Sequence, residues 1–81
     1  MSILTVQLFA SYAEAFGGPT LKIPLESGAT VADLVRRIRS LPGGRSLPPS
    51  PRVAVNRKLA APDQLIRKDD EIAVIPPVAG G

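Results

Sequence analysis

Cysteine, histidine and tryptophan are all missing from this 81-residue chain. Without cysteine there is no disulfide framework and no thiolate metal site. Without histidine the commonest general base and metal ligand is gone. Together the two absences argue against a self-sufficient hydrolase or metalloenzyme. Aromatic residues are scarce as well: Phe9, Tyr12 and Phe16 are the whole set. A core must therefore be built from Val, Leu, Ile and Ala, and the 44% hydrophobic content is enough for one. The opening Met1-Ser2-Ile3-Leu4-Thr5 has neither a basic lead nor a long apolar run. No signal peptide or membrane span is expected, and the cytoplasm is the default location.

Ten Lys/Arg stand against seven Asp/Glu, a net charge of +3. That mild excess suits an acidic or nucleotide-using partner. Nucleic acid is not expected, because the basic residues are not interleaved with stacking aromatics. A solvated basic face is the plainer reading of Arg36, Arg37 and Arg39. Steering of an acidic partner by these, with Arg45, Arg57 and Lys58, is the sharper one.

Residues Ile3 to Phe9 alternate, with Leu4, Val6 and Leu8 on one face and Thr5, Gln7 and Phe9 on the other. This predicts a strand with one core face. Ser11 stands three residues before Glu14, a capping-box spacing that opens a short helical turn, and Gly17-Gly18-Pro19 ends it. Thr20 to Leu25 alternates again, and Pro24 consigns that strand to a sheet edge or ends it early. Thr30 and Asp33 form a second cap signature, ahead of Val31, Leu34, Val35 and Ile38 at helical spacing. This predicts the main helix, from Val31 to about Ser40. Leu41 to Pro51 holds four prolines and two glycines and reads as a surface excursion without regular structure. Arg52 to Asn56 is a short strand with Val53 and Val55 inward. Asn56-Arg57 turns the chain into a brief return over Lys58-Leu59-Ala60. Turns at Pro62-Asp63-Gln64 and Lys68-Asp69-Asp70 precede a last strand, Glu71 to Ile75.

Periodicity thus predicts an α+β fold, one amphipathic helix on a small mixed sheet, with a short helix and 3₁₀ turns besides. Residues 1–75 form the expected folded unit and 76–81 a flexible tail. In that tail, Pro76 and Pro77 hold an extended backbone, and the chain narrows through Val78 and Ala79 to Gly80-Gly81. Six extended residues reach about 20 Å, at ~3.3 Å each. A stiff base with a side-chain-free tip suits a narrow channel. A terminal carboxylate is a poor acyl donor and must be activated, for instance as an acyl-adenylate, before a sulfur or amine nucleophile attacks. Gly81 has no Cβ to obstruct that attack. Most chain ends are simply frayed, and a diglycine by itself is common. The weight comes from its position after Pro-Pro and after a strand.

The stretch Val55-Asn56-Arg57-Lys58-Leu59, and then Asp69 through Ile75 into Pro76-Pro77-Val78-Ala79-Gly80-Gly81, resembles the small subunit of molybdopterin synthase. Leu8-Phe9-Ala10, with Glu14 four residues on, is similar to that family's opening strand and helix. The resemblance covers nearly the whole chain apart from the proline-rich loop. It implies a ubiquitin-like β-grasp fold and a non-catalytic sulfur-carrier subunit of a sulfurtransferase complex. By that resemblance, an E1-like enzyme uses ATP to adenylate Gly81, a sulfurtransferase donor converts it to a thiocarboxylate, and the tail enters the large synthase subunit. Sulfur then passes to a pyranopterin precursor to form the dithiolene of molybdopterin, with no cofactor resident on the carrier. Three departures stand out. Ala13 occupies a position that is often Arg, Ile75 one that is often aromatic, and Asp69 one that is usually Gly; Asp tolerates a left-handed backbone better than most residues.

Strand parity adds a docking surface. Phe9 falls opposite the core face, as do Ala73 and Ile75, and Leu59 is a further member. Phe9, Leu59, Ile75 and the tail residues Pro76, Pro77, Val78 and Ala79 are therefore the candidate partner-binding residues, with Gly80 and Gly81 the chemical tip. Three other readings compete: a thiazole-pathway sulfur carrier, a ubiquitin-like modifier conjugated to lysines, and a β-grasp interaction module with an inert tail. A basic nucleic-acid-binding domain is more distant.

Overall fold

A computed structural model describes residues 2–76. The elements run β1 (Ser2–Leu8), α1 (Ala10–Phe16), β2 (Thr20–Leu25), α2 (Val31–Arg39), β3 (Arg52–Val55), β4 (Lys58–Leu59) and β5 (Ile72–Ile75), with a 3₁₀ turn at Gly44–Ser46. The strands form one mixed sheet in the order β2-β1-β5-β3-β4. β1 pairs antiparallel with β2 and parallel with β5, so strands from opposite ends of the chain lie side by side at its centre. β3 pairs antiparallel with both β5 and β4. The expected mixed sheet with one main helix is what the chain forms.

Alternation decides which face is covered. Leu4, Val6 and Leu8 of β1, Ile23 of β2, Val53 and Val55 of β3, and Ile72 and Val74 of β5 are buried in one cluster with Val31, Leu34, Val35 and Ile38 of α2. No polar or charged residue is buried among the described residues. α2 packs four apolar residues at 3.6-residue spacing onto the sheet, and its start is well defined chemically. The Asp33 N–H donates to Thr30 Oγ1 at 3.3 Å, and the Thr30 N–H donates back to Asp33 Oδ2 at 2.9 Å. The first two helical N–H groups, which no helix can satisfy internally, go elsewhere. Val31 donates to the Gln64 carbonyl and Ala32 to the Pro62 carbonyl, each at 2.9 Å. A non-regular segment thus supplies part of the helix cap.

α1 begins differently from the expectation. Its N-cap position is Phe9, with extended backbone and no side-chain cap hydrogen bond. Ser11 lies inside the first turn, where its hydroxyl cannot serve the N-terminal donors. The helix starts where β1 ends: the Phe9 carbonyl accepts from the Tyr12 N–H at 3.0 Å, and Tyr12 is buried. Gly17, at φ 81°, closes the helix as expected. β2 is indeed an edge strand, with Pro24 opposite Ile3.

The largest correction lies in Leu41 to Pro51. This segment contains a 3₁₀ turn, and Leu47 is only 2% exposed, a full member of the core. Two glycines allow the approach. A Cβ on Gly43 would stand 2.6 Å from the Ala15 carbonyl oxygen, and one on Gly44 would collide with the Arg39 carbonyl. The prolines flank the turn and do not interrupt it. Ile66, in another stretch without periodicity, is buried as well.

The β3–β4 hairpin turns through Asn56 and Arg57, at φ 53° and 71°, the left-handed pair that two-residue hairpins favour. Asn56 also fastens the start of β5. Its Nδ2 donates to Asp70 Oδ1, its Oδ1 accepts from the Glu71 N–H, both at 2.9 Å, and its own N–H donates to the Glu71 carbonyl at 2.8 Å. Asp69, in contrast, is not among the described non-glycine residues with positive φ, so no left-handed conformation is required there. β5 starts at Ile72, one residue later than expected.

Two measurements test this packing. Leu34→Ala and Leu47→Ala should each cost about 2–5 kcal/mol in urea unfolding. A negligible loss at Leu47 would return that loop to the surface. The second concerns Asp33, whose carboxyl is held below its ordinary range first by the Thr30 N–H, then by the Thr30 hydroxyl and by Arg36. A depressed folded pKa contributes stability above the unfolded value and loses it as pH falls through the folded one. Asp33→Asn should therefore weaken the protein at neutral pH, and the gap to the wild type should close in acid below the carboxylate range.

Candidate functional site

The face of the sheet opposite α2 carries the candidate site, and pairing register arranges it in rows. Residues paired across neighbouring strands share a face. One row runs Thr20, Gln7, Ala73, Ala54 and Leu59 across all five strands. The next row pairs Ile75 with Arg52. Because β1 and β5 are parallel and Leu8 lies beside Val74, Phe9 and Ile75 follow at the same end of the sheet.

Exposure along these rows is uneven. Ala54 is 7% exposed although it faces away from the core, so the centre of the face is a floor of small side chains. Phe9 and Leu59 stand out from it at 47% and 66% exposed. Ala73, Ile75 and Pro76 are half-buried. Phe9 itself lies just past β1, and its extended backbone continues the strand direction. The structure therefore brings Phe9 and Ile75 to one end of an uncovered face, and places Leu59 on the same face at the β4 edge. Further along, Ile3 is 69% exposed and pairs with Pro24, making a separate apolar spot. The remaining candidates Pro77, Val78, Ala79, Gly80 and Gly81 lie outside the described residues.

Two members of the face were not anticipated. Arg52 shares the Ile75 row, and Ala54 forms the floor between Ala73 and Leu59. The two-residue turn at Asn56-Arg57 was the available signal, since it sets Val55 against Lys58 and hence Ala54 against Leu59. Basic residues at the rim differ in circumstance. Arg57 Nε lies 3.7 Å from Glu71 Oε1, and Lys22 Nζ donates to Thr5 Oγ1 at 2.6 Å on the same face. Arg52 has no ion-pair partner among the described residues. Chemically the face offers apolar area, small side chains that permit close approach, and a guanidinium beside the last strand. Such a surface has the chemistry of a docking site. No helix of the described residues is long and apolar enough to cross a membrane.

Comparison with known proteins agrees with this fold. Residues 6–81 match the ThiS family. The molybdopterin synthase sulfur carrier subunit of Arabidopsis thaliana is 33% identical over 82 residues, covering 96% of this chain and 82% of that protein. The crystal structure of small archaeal modifier protein 1 from Haloferax volcanii is 28% identical with a TM-score of 0.83, and covers 96% of this chain and all of its own. A chain from the complex of subunits 1 and 2 of the molybdopterin-converting factor of Helicobacter pylori shares the fold, at a TM-score of 0.71 and 19% identity over 98% of this chain and 99% of its own. The chain belongs to the ThiS family, with the ubiquitin-like β-grasp fold and homology to a molybdopterin synthase sulfur carrier subunit.

Proposed function

We propose that this protein carries sulfur as a thiocarboxylate on Gly81 and delivers it in the making of molybdopterin. The observation that carries the reading is the relative at 33% identity over 96% of the chain, a sulfur carrier subunit by name, together with a family match that runs through Gly80 and Gly81. In the proposed sequence a carboxylate oxygen of Gly81 attacks the α-phosphorus of ATP on an E1-like activating enzyme, and pyrophosphate leaves. The outer sulfur of a persulfide on a sulfurtransferase donor then attacks the acyl carbon and AMP leaves. A thiol reductant attacks the donor's sulfur in the resulting acyl disulfide, forming a disulfide with the donor and releasing the thiocarboxylate. Inside the large synthase subunit that sulfur forms a bond to a side-chain carbon of the pyranopterin precursor, and the oxygen substituent of that carbon leaves. Hydrolysis of the acyl link returns the carboxylate, and a second carrier supplies the other dithiolene sulfur.

The chain's own residues would contribute position and access. Phe9, Leu59 and Ile75 would seat the carrier on each partner in turn, Pro76 through Ala79 would line the approach, and Gly80 with Gly81 would pass the narrowest point. The Helicobacter pylori complex of subunits 1 and 2 shows this fold within a molybdopterin-converting factor assembly, which supports a large-subunit partner here. A second reading is favoured by the likeness to small archaeal modifier protein 1, and would have the activated Gly81 acylate a lysine amine. A thiazole-pathway carrier would share the thiocarboxylate and differ in its acceptor.

Incubation with ATP, the activating enzyme and a sulfur source should raise the intact mass by one oxygen-to-sulfur exchange that maps to Gly81. Extending the chain past Gly81 should abolish the exchange while leaving the fold unchanged. Sulfur transfer by an extended, untrimmed protein would refute the carrier reading, and lysine conjugates in place of the mass change would favour the modifier. Ile75→Lys should keep the fold and weaken binding to the large subunit by about tenfold or more, since it sets a charge within an apolar contact. Unchanged affinity of the folded variant would remove Ile75 from the interface.

A further inference from the structure

A second surface lies on the helix side of the molecule. An open groove of about 510 Å³ runs between α2 and the segments at 49–53 and 59–62. Sites that take a ligand or a few side chains have volumes of about 300–1,000 Å³. Its floor is apolar, with Val35, Ala60 and Pro62 among the lining residues. One wall is Pro49-Ser50-Pro51, held by proline rings of fixed φ and tethered through the buried Leu47. A preformed wall lowers the ordering cost of binding.

The charges around this groove are one-sided. Arg36, Arg39 and Arg52 line it, and among the described residues no Asp or Glu does. Arg36 is engaged by Asp33 at 3.2 Å, whereas Arg39 and Arg52 have no ion pair among the described residues. An apolar trough with Arg39 on its α2 side and Arg52 at its border with β3, neither in an ion pair among the described residues, matches an extended segment in which carboxylates flank small aliphatic side chains. We propose that this groove docks an acidic, aliphatic peptide segment of a partner protein. The peptide lies against α2 and the proline wall. It does not extend the sheet, because β4 has only two residues. Apart from Leu59 and Arg52, which border both surfaces, the groove is separate from the face that carries Phe9 and Ile75. A partner could hold the protein here while that face is occupied. The inference does not depend on sulfur carriage.

The test uses the full chain, labelled with ¹⁵N, and synthetic peptides of about ten residues. One has an aliphatic centre flanked by aspartates, one the same centre flanked by lysines, and a single-stranded oligonucleotide serves as a third ligand. The aspartate-flanked peptide should shift the amides of Ala32, Val35, Arg39, Arg52 and Ala60 and leave Thr5 and Lys22 unmoved. Arg39→Glu combined with Arg52→Glu should weaken it about tenfold or more with an unchanged circular dichroism spectrum. With the wild type, raising salt from about 0.05 to about 0.5 M should weaken binding severalfold. The proposal is overturned by equal binding of the lysine-flanked peptide, by shifts confined to the opposite face, by no shift at about 1 mM peptide, by insensitivity to salt, or by tighter binding of the oligonucleotide at the same amides.

Discussion

The parallel pairing of β1 with β5 is the constraint on which the rest of the molecule depends. Val6 lies beside Ile72 and Leu8 beside Val74, although most of the chain separates them. Closing so long a loop costs entropy that only burial offsets. Val6, Ile72 and Val74 are accordingly among the largest fully buried side chains, with Ile23, Leu34 and Ile38 around them. A parallel pair also requires a crossover, and the intervening chain that supplies it contains α2, the helix that covers the resulting core. The sheet then grows outward on both sides, β2 from β1 and β3 from β5. Because the central strands run in the same direction, Phe9 and Pro76 leave the sheet at one end. The uncovered face and the chain leading to Gly81 are therefore linked by strand direction.

What could be read from residue order was whatever depends on near neighbours. The alternation of Leu4, Val6 and Leu8, the spacing of Val31, Leu34, Val35 and Ile38, and the Thr30–Asp33 box are all visible within one turn or a few strand residues. Ser11 and Glu14 have the same spacing as that box, yet α1 starts at Ala10 because the end of β1 and the burial of Tyr12 set its position. Local chemistry was overruled there by what the segment packs against. Leu47 and Ile66 show the same limit from the other side. Each sits in a stretch whose prolines or turns suggest exposure, and each is buried by contacts with segments distant in the chain.

The candidate site divides along the same line. Parity within single strands was enough to turn Phe9, Ala73 and Ile75 away from the core, and the β1–β5 pairing brings Phe9 and Ile75 to one end. With Val53 and Val55 inward, the same parity turns Arg52 and Ala54 outward; that they lie beside Ile75 and between Ala73 and Leu59 depends on register across three strands. The chemistry assigned to Gly81 was legible by a different route, through resemblance of the closing motif, since no periodicity describes those residues. The groove beside α2 was not legible at all: its wall comes from the loop that composition consigned to the surface.

The sheet is open, and open sheets have two exposed borders at which other chains can add. Here each border is blunted in its own way. β2 carries Pro24, which has no N–H to offer, and the Lys22 charge on its free face. β4 is only two residues long, and the chain leaves it toward the cap of α2. A protein whose one uncovered face is apolar would otherwise be poised to stack into fibres. With both borders blunted against strand addition, that face can bind a partner without a neighbouring copy extending the sheet.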